Sequence, residues 1–582
     1  MTHRLLAVLA LALIAPAQPV PSDDKLAWFK HDKFGLFIHF GPYSNLEGEW
    51  KGEATPPGQN AEWIMHDLRI PRAEYREKAH SFNPAKFDAP AIARLARQAG
   101  MKYVVLTAKH HDGLAMWATK NNDYNIVDWT PLKRDVVKEM ADACRREGVR
   151  FCLSYSHNED WDHPDGYGNF WDFDPSRKNF DRYLDEKSKP QLRELLTNYG
   201  PIGLVWFDRG IDTTKHAQDF IDVVHSLQPQ CLINGRIGNY GQELMGDYQN
   251  MSDNGMPNGG MDEYWETPQT LNQTWGYSKF DHNWKSSKVV IRKLVEIVSK
   301  GGNYLLNIGP RADGSVPPES VAVLTRVGQW MAKNSESIYG TSANPFFDLP
   351  WGRATVKGNR LYLHVLEWPK DGRLRLRGLR TPIRKAFLLA DPGRALAVDK
   401  TGSISLPPSA PDDIDTVVAV DLAAAPRVDP PVVTMKDGAL RLDYMKALTA
   451  GKTVKRYNRR GGFHISKWTG PGDTAAWYVR VPKAGVYNVR IRYAARPEWA
   501  GGAFTISVGG KPVTGTVEAT GDWYEYRDFD LGEVEIGGAG RRTVTVKPSA
   551  ELGHYLMYLE AVELAPGSRA AGSPDAAVQA VQ

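Results

Sequence analysis

The chain has 582 residues, of which 42% are hydrophobic and 24% charged, a composition typical of globular protein with large cores. Domains of roughly 100–200 residues suggest about three units in a chain of this length. The formal net charge is only +4 and the basic residues are scattered, so the composition gives no reason to expect nucleic acid as a partner. The 18 Trp and 24 Tyr are an aromatic excess that suits core packing and also stacking on sugar rings.

The N-terminus is typical of an export signal. A weakly basic start at His3 and Arg4 precedes an apolar run over residues 5–14, and Ala15-Pro16-Ala17 offers a small-residue cleavage site. The run is shorter than the roughly 20 residues that a membrane-spanning helix needs, and no Cys follows it as a lipid attachment point. We therefore expect a signal peptide over residues 1–17 and a secreted or periplasmic protein without a membrane anchor.

Residues 23–342 alternate between short apolar runs and amphipathic helices. The predicted strands are 33–40, 102–108, 149–155, 203–208, 231–234 and 304–308. Their apolar centres indicate strands buried on both faces, as in parallel sheets. Repeated strand–helix units favour a degenerate (β/α)8 barrel. A doubly wound sheet is the rival, but Phe40-Gly41-Pro42-Tyr43 after the first strand is not a Gly-rich phosphate loop.

The C-terminal part of the chain changes to short alternating runs, which predict antiparallel β-structure. We expect a small β-sandwich over 343–428, a second β-sandwich over 432–566 and a disordered tail over 567–582. The predicted fold class is thus α/β, a degenerate (β/α)8 barrel followed by two all-β sandwich domains. Cys144, Cys152 and Cys231 lack the spacing of a zinc site or a redox pair, so we expect buried free thiols.

Polar and aromatic side chains follow the C-terminal ends of the predicted strands, which is where active sites of barrels lie. They are His39, His110, His111, Asp112, Tyr155, His157, Asn158, Glu159, Trp206, Asp208 and Arg236. Such a set suits a neutral polyol such as a sugar ring. A metal site is the alternative, but Zn²⁺ needs three or four ligands in a tight set and no HxxxH or HxH spacing occurs. We therefore predict no metal.

Asp208 ends a predicted strand beside Trp206, as a buried nucleophile would, although it could instead cap a helix. Glycoside hydrolysis requires a second carboxyl group whose distance from the first cannot be read from a sequence. These patterns alone therefore support a carbohydrate-active barrel and nothing more specific.

Four sequence blocks occur in order: residues 33–41, Lys109-His110-His111-Asp112-Gly113, Trp206-Phe207-Asp208, and residues 301–310 followed by Asp313-Gly314. Together they resemble the α-L-fucosidases of glycoside hydrolase family 29 over roughly residues 25–340. The resemblance implies a degenerate (β/α)8 barrel with a following β-sandwich. It also implies retaining exo-hydrolysis of terminal α-L-fucosides without a cofactor.

Carried over position by position, the resemblance places the nucleophile at Asp208. Glu62-Trp63 matches a Glu-Trp pair in the loop after the first strand, with Glu49-Trp50 as a second candidate. The positions that match fucose contacts in the family are His39, Glu62, Trp63, His110, His111, Tyr155, Trp206, Arg236 and Trp275.

The general acid/base is not fixed at one sequence position in this family. Some members carry a Glu a few residues after Gly-Asp-Tyr, where this chain has Ser252, and others use a Glu in a Trp-Glu pair. Glu266 therefore ranks first, Asp253 second and Glu263 third. The alternative for Glu266 is a structural carboxylate at a strand end.

The unit at 432–566 resembles carbohydrate-binding β-sandwich modules more loosely. Trp468, Trp499 and Trp523 are candidates for sugar stacking, with core packing as the alternative. Three rival functions stay open: a non-catalytic carbohydrate-binding protein, a metal-dependent hydrolase that uses the His pair, and an α-L-galactosidase. The expected partners are fucosylated glycans or glycosides, and the oligomeric state is left open.

Overall fold

The structure is a computed structural model that describes residues 24–567, apart from 57, 58, 212, 239–243, 258, 348, 460, 461, 523 and 524. The predicted signal peptide and the predicted tail beyond residue 567 lie outside the described residues. Among the helices that are described, none combines the length and the apolar character that crossing a membrane requires.

Eight parallel strands form one curled sheet in the first part of the chain, in the order β7-β6-β5-β4-β1-β10-β9-β8. The strands, counted with a short antiparallel hairpin (β2 and β3), are β1 (Phe34–Ile38), β2 (Glu49–Trp50), β3 (Glu53–Ala54), β4 (Tyr103–Lys109), β5 (Arg150–Tyr155), β6 (Leu204–Phe207), β7 (Leu232–Ile233), β8 (Gln249–Asn250), β9 (Trp265–Thr270) and β10 (Asn303–Ile308). A single parallel bridge between Asn234 and Tyr248 joins the two outer strands and brings the sheet round on itself.

Ten α-helices accompany these strands in the described part of the chain. They are α1 (Ala27–Asp32), α2 (Ile64–Asp67), α3 (Arg72–His80), α4 (Ala89–Gln98), α5 (Val136–Glu147), α6 (Phe180–Tyr183), α7 (Lys189–Asn198), α8 (Thr214–Leu227), α9 (Ser287–Ser299) and α10 (Pro318–Asn334). Asp88 and Asp135 cap α4 and α5 by accepting hydrogen bonds from backbone N–H groups, as their sequence positions predict. The described residues between β7 and β8, and between β8 and β9, contain no α-helix, and this is where the barrel is degenerate.

Two β-sandwich units follow the barrel, which confirms the predicted fold class. The first combines a five-stranded and a two-stranded sheet from β11 (Gly352–Lys357), β12 (Arg360–Val365), β13 (Arg373–Leu374), β14 (Ile383–Leu388), β15 (Asp391–Leu396), β16 (Ile404–Ser405) and β17 (Thr416–Leu422). The second pairs two six-stranded sheets from β18 (Val432–Thr434), β19 (Leu440–Asp443), β20 (Leu448–Ala450), β21 (Lys455–Arg459), β22 (Gly462–Ser466), β23 (Thr474–Val481), β24 (Gly485–Ala494), β25 (Ala503–Val508), β26 (Lys511–Thr516), β27 (Arg527–Ile536), β28 (Gly540–Pro548) and β29 (Tyr558–Pro566). All three cysteines are buried and unbridged, as expected.

The tryptophans proposed for sugar stacking in the C-terminal sandwich have different positions. Trp468 is fully buried, and its indole N–H donates to the carbonyls of Ile465 and Met557, so it is a core residue and cannot stack on a sugar. Trp499 is 6% exposed and lies edge-on to Tyr555 and Tyr558. Trp523 lies outside the described residues. A carbohydrate-binding role of this unit therefore stays a prediction.

Candidate active site

An aromatic layer fills the barrel interior below the C-terminal ends of its strands. The ring of Phe37 lies 5.1 Å from that of Trp206, and the ring of His39 lies 5.0 Å from that of Trp275. All four side chains are buried or nearly so, with Trp275 5% exposed. This layer gives the site a firm apolar floor on which polar groups from several strand ends converge.

Asp208 follows β6 and lies at the centre of these polar groups. Its Oδ2 is 3.5 Å from Nε2 of His111, and its Oδ1 is 3.3 Å from Nη1 of Arg236. The backbone N–H of Arg209 donates to the same Oδ1 at 3.0 Å. Asp208 does not cap a helix, because α8 begins six residues later with Thr213 as its cap. The carboxylate is thus oriented from three sides, with 16% of its side chain exposed.

The environment of Asp208 favours its charged form. Burial alone raises the pKa of a carboxyl group, but His111, Arg236 and His110 outweigh burial and hold the pKa of Asp208 well below its usual range. Arg209 next to it has a left-handed φ of 65°, an unusual conformation for a residue with a side chain. Asp208 is therefore an ionised, oriented carboxylate, the state that a nucleophile needs.

A hydrogen-bond chain fixes the orientation of His111. The hydroxyl of Ser156 donates its single proton to the carbonyl of Glu159 at 2.7 Å, so it must accept the bond from Nδ1 of His111, also at 2.7 Å. Nδ1 of His111 consequently carries a proton, and Nε2 faces Asp208. His111 is therefore held with one defined nitrogen toward the centre of the site.

The tautomer of His39 is fixed in a similar way. The amide nitrogen of Asn307 donates to the carbonyl of Trp275 at 2.8 Å, so the amide oxygen faces Nδ1 of His39 at 2.7 Å. Nδ1 must then be the protonated nitrogen. Burial lowers the pKa of His39 to about 4, so the ring is neutral and Nε2 is an acceptor. Such a group suits a sugar hydroxyl that donates a hydrogen bond.

Glu62 and Trp63 lie at the site, whereas Glu49 of the alternative pair is bound to Lys279 at 2.7 Å. Oε2 of Glu62 accepts from the backbone N–H of Gly276 at 2.9 Å. Burial raises the pKa of Glu62 to about 8, so this carboxyl is protonated near neutral pH and can donate. The ring of Trp63 lies edge-on to His111 with 5.1 Å between centroids.

Arg236 connects two carboxylates. Its Nη1 pairs with Asp208 and its Nη2 with Asp253, while Nη2 also donates to the carbonyl of Met251 at 3.3 Å. The guanidinium lies over the ring of Trp206, 4.5 Å from the centroid. The side chain of Asp253 is 45% exposed and therefore open to solvent, whereas that of Asp208 is 16% exposed.

Glu266, the first-ranked candidate for the acid/base, lies deep in the barrel. It is fully buried, and four donors surround it: Tyr103 at 2.9 Å, Trp206 at 3.0 Å, Asn250 at 3.3 Å and Tyr248 at 3.4 Å. Burial raises the pKa of Glu266 to about 7, although these donors lower it. One of the donors, Trp206, belongs to the floor of the site, so Glu266 supports that floor from below.

We expect Glu266→Gln to alter the pH dependence of stability more than activity. Because the folded-state pKa is raised, the protonated carboxyl stabilises the fold below about pH 4.5, and this contribution is lost as the pH rises through 7. The free energy of unfolding of the wild type, measured by calorimetry, should therefore fall by roughly 2–3 kcal/mol relative to that of Glu266→Gln between pH 5 and 8. If the difference in free energy of unfolding between the two proteins does not change across this pH range, the raised pKa of Glu266 is contradicted.

Glu263, the third candidate, lies at the contact between the barrel and the C-terminal sandwich. Its Oε1 is 2.8 Å from Nζ of Lys467, a residue of the sandwich. A role of Glu263 as the acid/base stays a prediction.

Tyr155 does not reach the site, contrary to the position implied by the resemblance. Its side chain is buried between the sheet and the helices, where the hydroxyl donates to the carbonyl of Ser188 at 2.9 Å. The next residue, Ser156, is the one that contacts His111. Successive side chains of a strand point to opposite faces, so a shift of one residue exchanges an inward for an outward position.

The His pair and Asp208 also form the one group among the described residues that is close enough to hold a metal ion. Candidate ligand atoms of His110, His111 and Asp208 lie within 4.8 Å of one another. Arg236 pairs with Asp208, so this carboxylate has a cationic partner without a metal ion. The absence of a metal stays a prediction, which chelation tests.

Some of the groups that orient the site were not predicted from the sequence. Asn307 orients His39, Ser156 orients His111, and the backbone of Arg209 orients Asp208. Asn307 could have been found, because it is a polar residue within the apolar strand β10 and within one of the matching blocks. Ser156 and Arg209 carry no signal that distinguishes them from loop residues.

Comparisons with known proteins agree with this geometry. The sequence model of the α-L-fucosidase family matches residues 15–336. A second model, described as a domain of unknown function (DUF5077), matches residues 447–566. Human tissue α-L-fucosidase is 31% identical over 433 residues, which cover 68% of this chain and 87% of the human protein. The α-L-fucosidase of Dictyostelium discoideum is 29% identical over 402 residues, covering 63% and 84% of the two chains.

Solved structures give the same result. The α-L-fucosidase of Vibrio sp. strain EJY3 superposes with a TM-score of 0.68 at 30% identity, over 94% of this chain and 98% of its own. A Bacteroides thetaiotaomicron α-L-fucosidase, trapped as a covalent intermediate in complex with 2-fluoro-fucosyl fluoride, has a TM-score of 0.64 at 30% identity and covers 70% of this chain and 98% of its own.

These relatives favour a fucosidase over an α-L-galactosidase or a non-catalytic sugar-binding protein. The covalent intermediate of the Bacteroides protein is the species that a retaining mechanism forms. The order of the sequence blocks, the curled barrel with its two sandwiches, and the match over more than half of the chain all agree. This chain is an enzyme that belongs to the retaining α-L-fucosidases of glycoside hydrolase family 29.

Proposed function

We propose that this chain removes terminal α-L-fucosyl groups by double displacement, with Asp208 as the nucleophile and Asp253 as the acid/base. The observation that carries this assignment is the bridge through Arg236, whose two terminal nitrogens pair with these two carboxylates. Two carboxyl groups at about 5–5.5 Å are what a retaining glycosidase needs, and neighbours on one guanidinium are compatible with that separation.

In the first step the ionised Asp208 attacks the anomeric carbon and a fucosyl-enzyme forms, while the acid/base protonates the leaving oxygen. In the second step the same acid/base takes a proton from water, which displaces Asp208. Neutral His39 accepts a hydrogen bond from a sugar hydroxyl, and protonated Glu62 donates one, as their shifted pKa values favour. Trp275 supplies an apolar wall beside His39.

Asp253 meets the requirements of a proton donor better than Glu266. A general acid must reach the glycosidic oxygen directly or through one water. The side chain of Asp253 is 45% exposed, whereas Glu266 is fully buried below Trp206 with four donors around it.

The reaction itself is tested with an aryl α-L-fucoside followed by ¹H NMR. We expect the first product to be α-L-fucose, because two displacements at the anomeric carbon retain the configuration. The corresponding α-L-galactoside should be a poorer substrate, and EDTA should leave the rate unchanged. Initial formation of β-L-fucose would refute double displacement. Loss of activity with EDTA would favour a metal-dependent hydrolase.

We also propose that the protein is exported, on the basis of its N-terminal sequence. The apolar run 5–14 and the Ala15-Pro16-Ala17 site support this localisation. N-terminal sequencing of the protein recovered from the medium or the periplasm should begin near residue 18, and an intact Met1 in the cytoplasmic fraction would contradict it.

A further inference from the structure

The C-terminal sandwich contacts the barrel at the loop that carries Asp253. This loop, residues 251–264, joins β8 to β9. Near its end the carboxylate of Asp262 accepts hydrogen bonds from the backbone N–H of Arg456 at 2.9 Å and from its Nη2 at 2.7 Å, and a third from Thr449 at 3.2 Å. The loop is therefore fixed to strands β20 and β21, one from each sheet of the sandwich.

A second ion pair lies beside the first. Nζ of Lys467 is 2.8 Å from Oε1 of Glu263, and the two side chains are 21% and 17% exposed. Asp262 and Arg456 are similarly shielded, at 21% and 25%. Exposed ion pairs contribute little, whereas two adjacent, largely shielded pairs with a forked Arg–carboxylate contact hold a defined geometry.

The other end of the loop is fixed to the barrel itself. Asn254, next to Asp253, donates its backbone N–H to Pro268 at 3.0 Å. Its side-chain oxygen accepts from the backbone N–H of Thr270 at 3.0 Å and from the hydroxyl of Thr270 at 3.1 Å. With a left-handed φ of 57°, Asn254 makes the sharp turn that presents Asp253 to Arg236.

Between these two anchors the chain is intrinsically permissive. Gly255, Gly259 and Gly260 lie there, and each glycine opens backbone conformations that other residues do not reach. Fixing such a segment at one end only leaves a large conformational entropy to be lost before Asp253 can act. The contacts at both ends, together with that of Lys300 Nζ to the carbonyl of Pro257 at 2.8 Å, lower that cost before the substrate binds.

We infer that the C-terminal sandwich serves catalysis in this chain, with Arg456 and Lys467 as positioning residues that hold the Asp253 loop in its working geometry. This inference rests on the proposed role of Asp253 as the acid/base. Both positioning residues fall within residues 447–566, so it gives the domain of unknown function a defined task in this protein. The task is mechanical and does not require the domain to bind sugar.

The test uses the full-length double variant Arg456→Met/Lys467→Met. We expect faster hydrogen–deuterium exchange in residues 251–264, and a roughly 10- to 100-fold lower kcat/KM on a fucosyl disaccharide, since a small misplacement of an acting group costs this much. With an aryl fucoside whose leaving group needs no protonation, the loss in kcat/KM, which reports the first step alone, should be below about threefold. Asp262→Asn, which weakens the same contact from the barrel side, should give the same pattern in milder form.

Arg492→Met is the matched control. Arg492 lies on the same sandwich and pairs with Glu560 and Asp528, both at 2.9 Å, and neither partner belongs to the barrel. It should leave exchange of the loop and both rates unchanged. Unchanged exchange in the double variant, or equal losses on both substrates, would overturn the inference. If the loss of activity in Asp253→Ala does not depend on the leaving group, the proposed role of Asp253 as the acid/base is wrong. Hydrogen–deuterium exchange of residues 251–264 then reports only whether the sandwich holds the loop.

Discussion

Replacing Asp208 with glycine is expected to lower kcat by about 10⁴- to 10⁶-fold while the fold persists, since removal of a nucleophile costs most of the chemical acceleration. The carboxylate is held by His111, Arg236 and the backbone of Arg209, and none of these can attack the anomeric carbon in its place. Steady-state rates on an aryl fucoside measure the loss directly.

External azide distinguishes loss of the nucleophile from general damage. A small anion that occupies the space left by the side chain should restore turnover of an activated aryl fucoside and yield β-L-fucosyl azide, because only one displacement then occurs. Asp208→Asn is the control for the fold, since it keeps the shape and the bond from Arg209 without a nucleophilic oxygen. A normally folded Asp208→Gly without azide rescue would refute the assignment.

The sequence predicted the strands of the barrel where hydrophobicity determines them. Strands β1, β4 and β10 are apolar runs buried on both faces, and the predicted segments overlap them within about two residues at each end. β8 and β9 were missed. β8 has only two residues, Gln249 and Asn250, and β9 is fully buried yet consists of Trp, Glu, Thr, Pro, Gln and Thr. A strand whose buried side chains are polar and hydrogen-bonded has no apolar pattern from which it could be predicted.

The candidate site was predictable to the extent that strand ends place side chains. His39, His110, His111, Asp208 and Arg236 converge because they follow parallel strands of one barrel. Positions that depend on which face of a strand a residue occupies were less predictable, as Tyr155 demonstrates. The degree of burial of a carboxylate was not predictable at all, because it depends on partners distant in sequence.

Glu266 and Asp253 illustrate that last difficulty. The donors to Glu266 include Tyr103, 163 residues earlier in the chain, and Trp206, 60 residues earlier. No local pattern around Trp265-Glu266 reveals them, and the same pattern would suit an exposed acid. Asp253, in contrast, is 45% exposed and is connected to Asp208 through Arg236.

We expect Asp253→Ala to lower kcat/KM on a fucosyl disaccharide by about 10²- to 10⁴-fold, the range that a positioned proton donor contributes. An aryl fucoside with an acidic leaving group needs no protonation, so its first step should change little. Its second step still lacks the base, and the fucosyl-enzyme should therefore accumulate. A burst of released phenol in stopped-flow measurements, followed by slow turnover that azide accelerates, is the expected result.

Glu266→Gln provides the matched comparison, because it removes the other candidate while it preserves the size of the side chain. If Asp253 is the acid/base, Glu266→Gln should affect disaccharide and aryl fucoside alike and show no burst, since its effect passes through the floor that Trp206 forms. The reverse pattern, with a selective loss in Glu266→Gln and equal losses in Asp253→Ala, would transfer the role to Glu266. A proton would then have to reach the fully buried carboxyl past Trp206, and the present packing around Glu266 offers four donors but no exposed path.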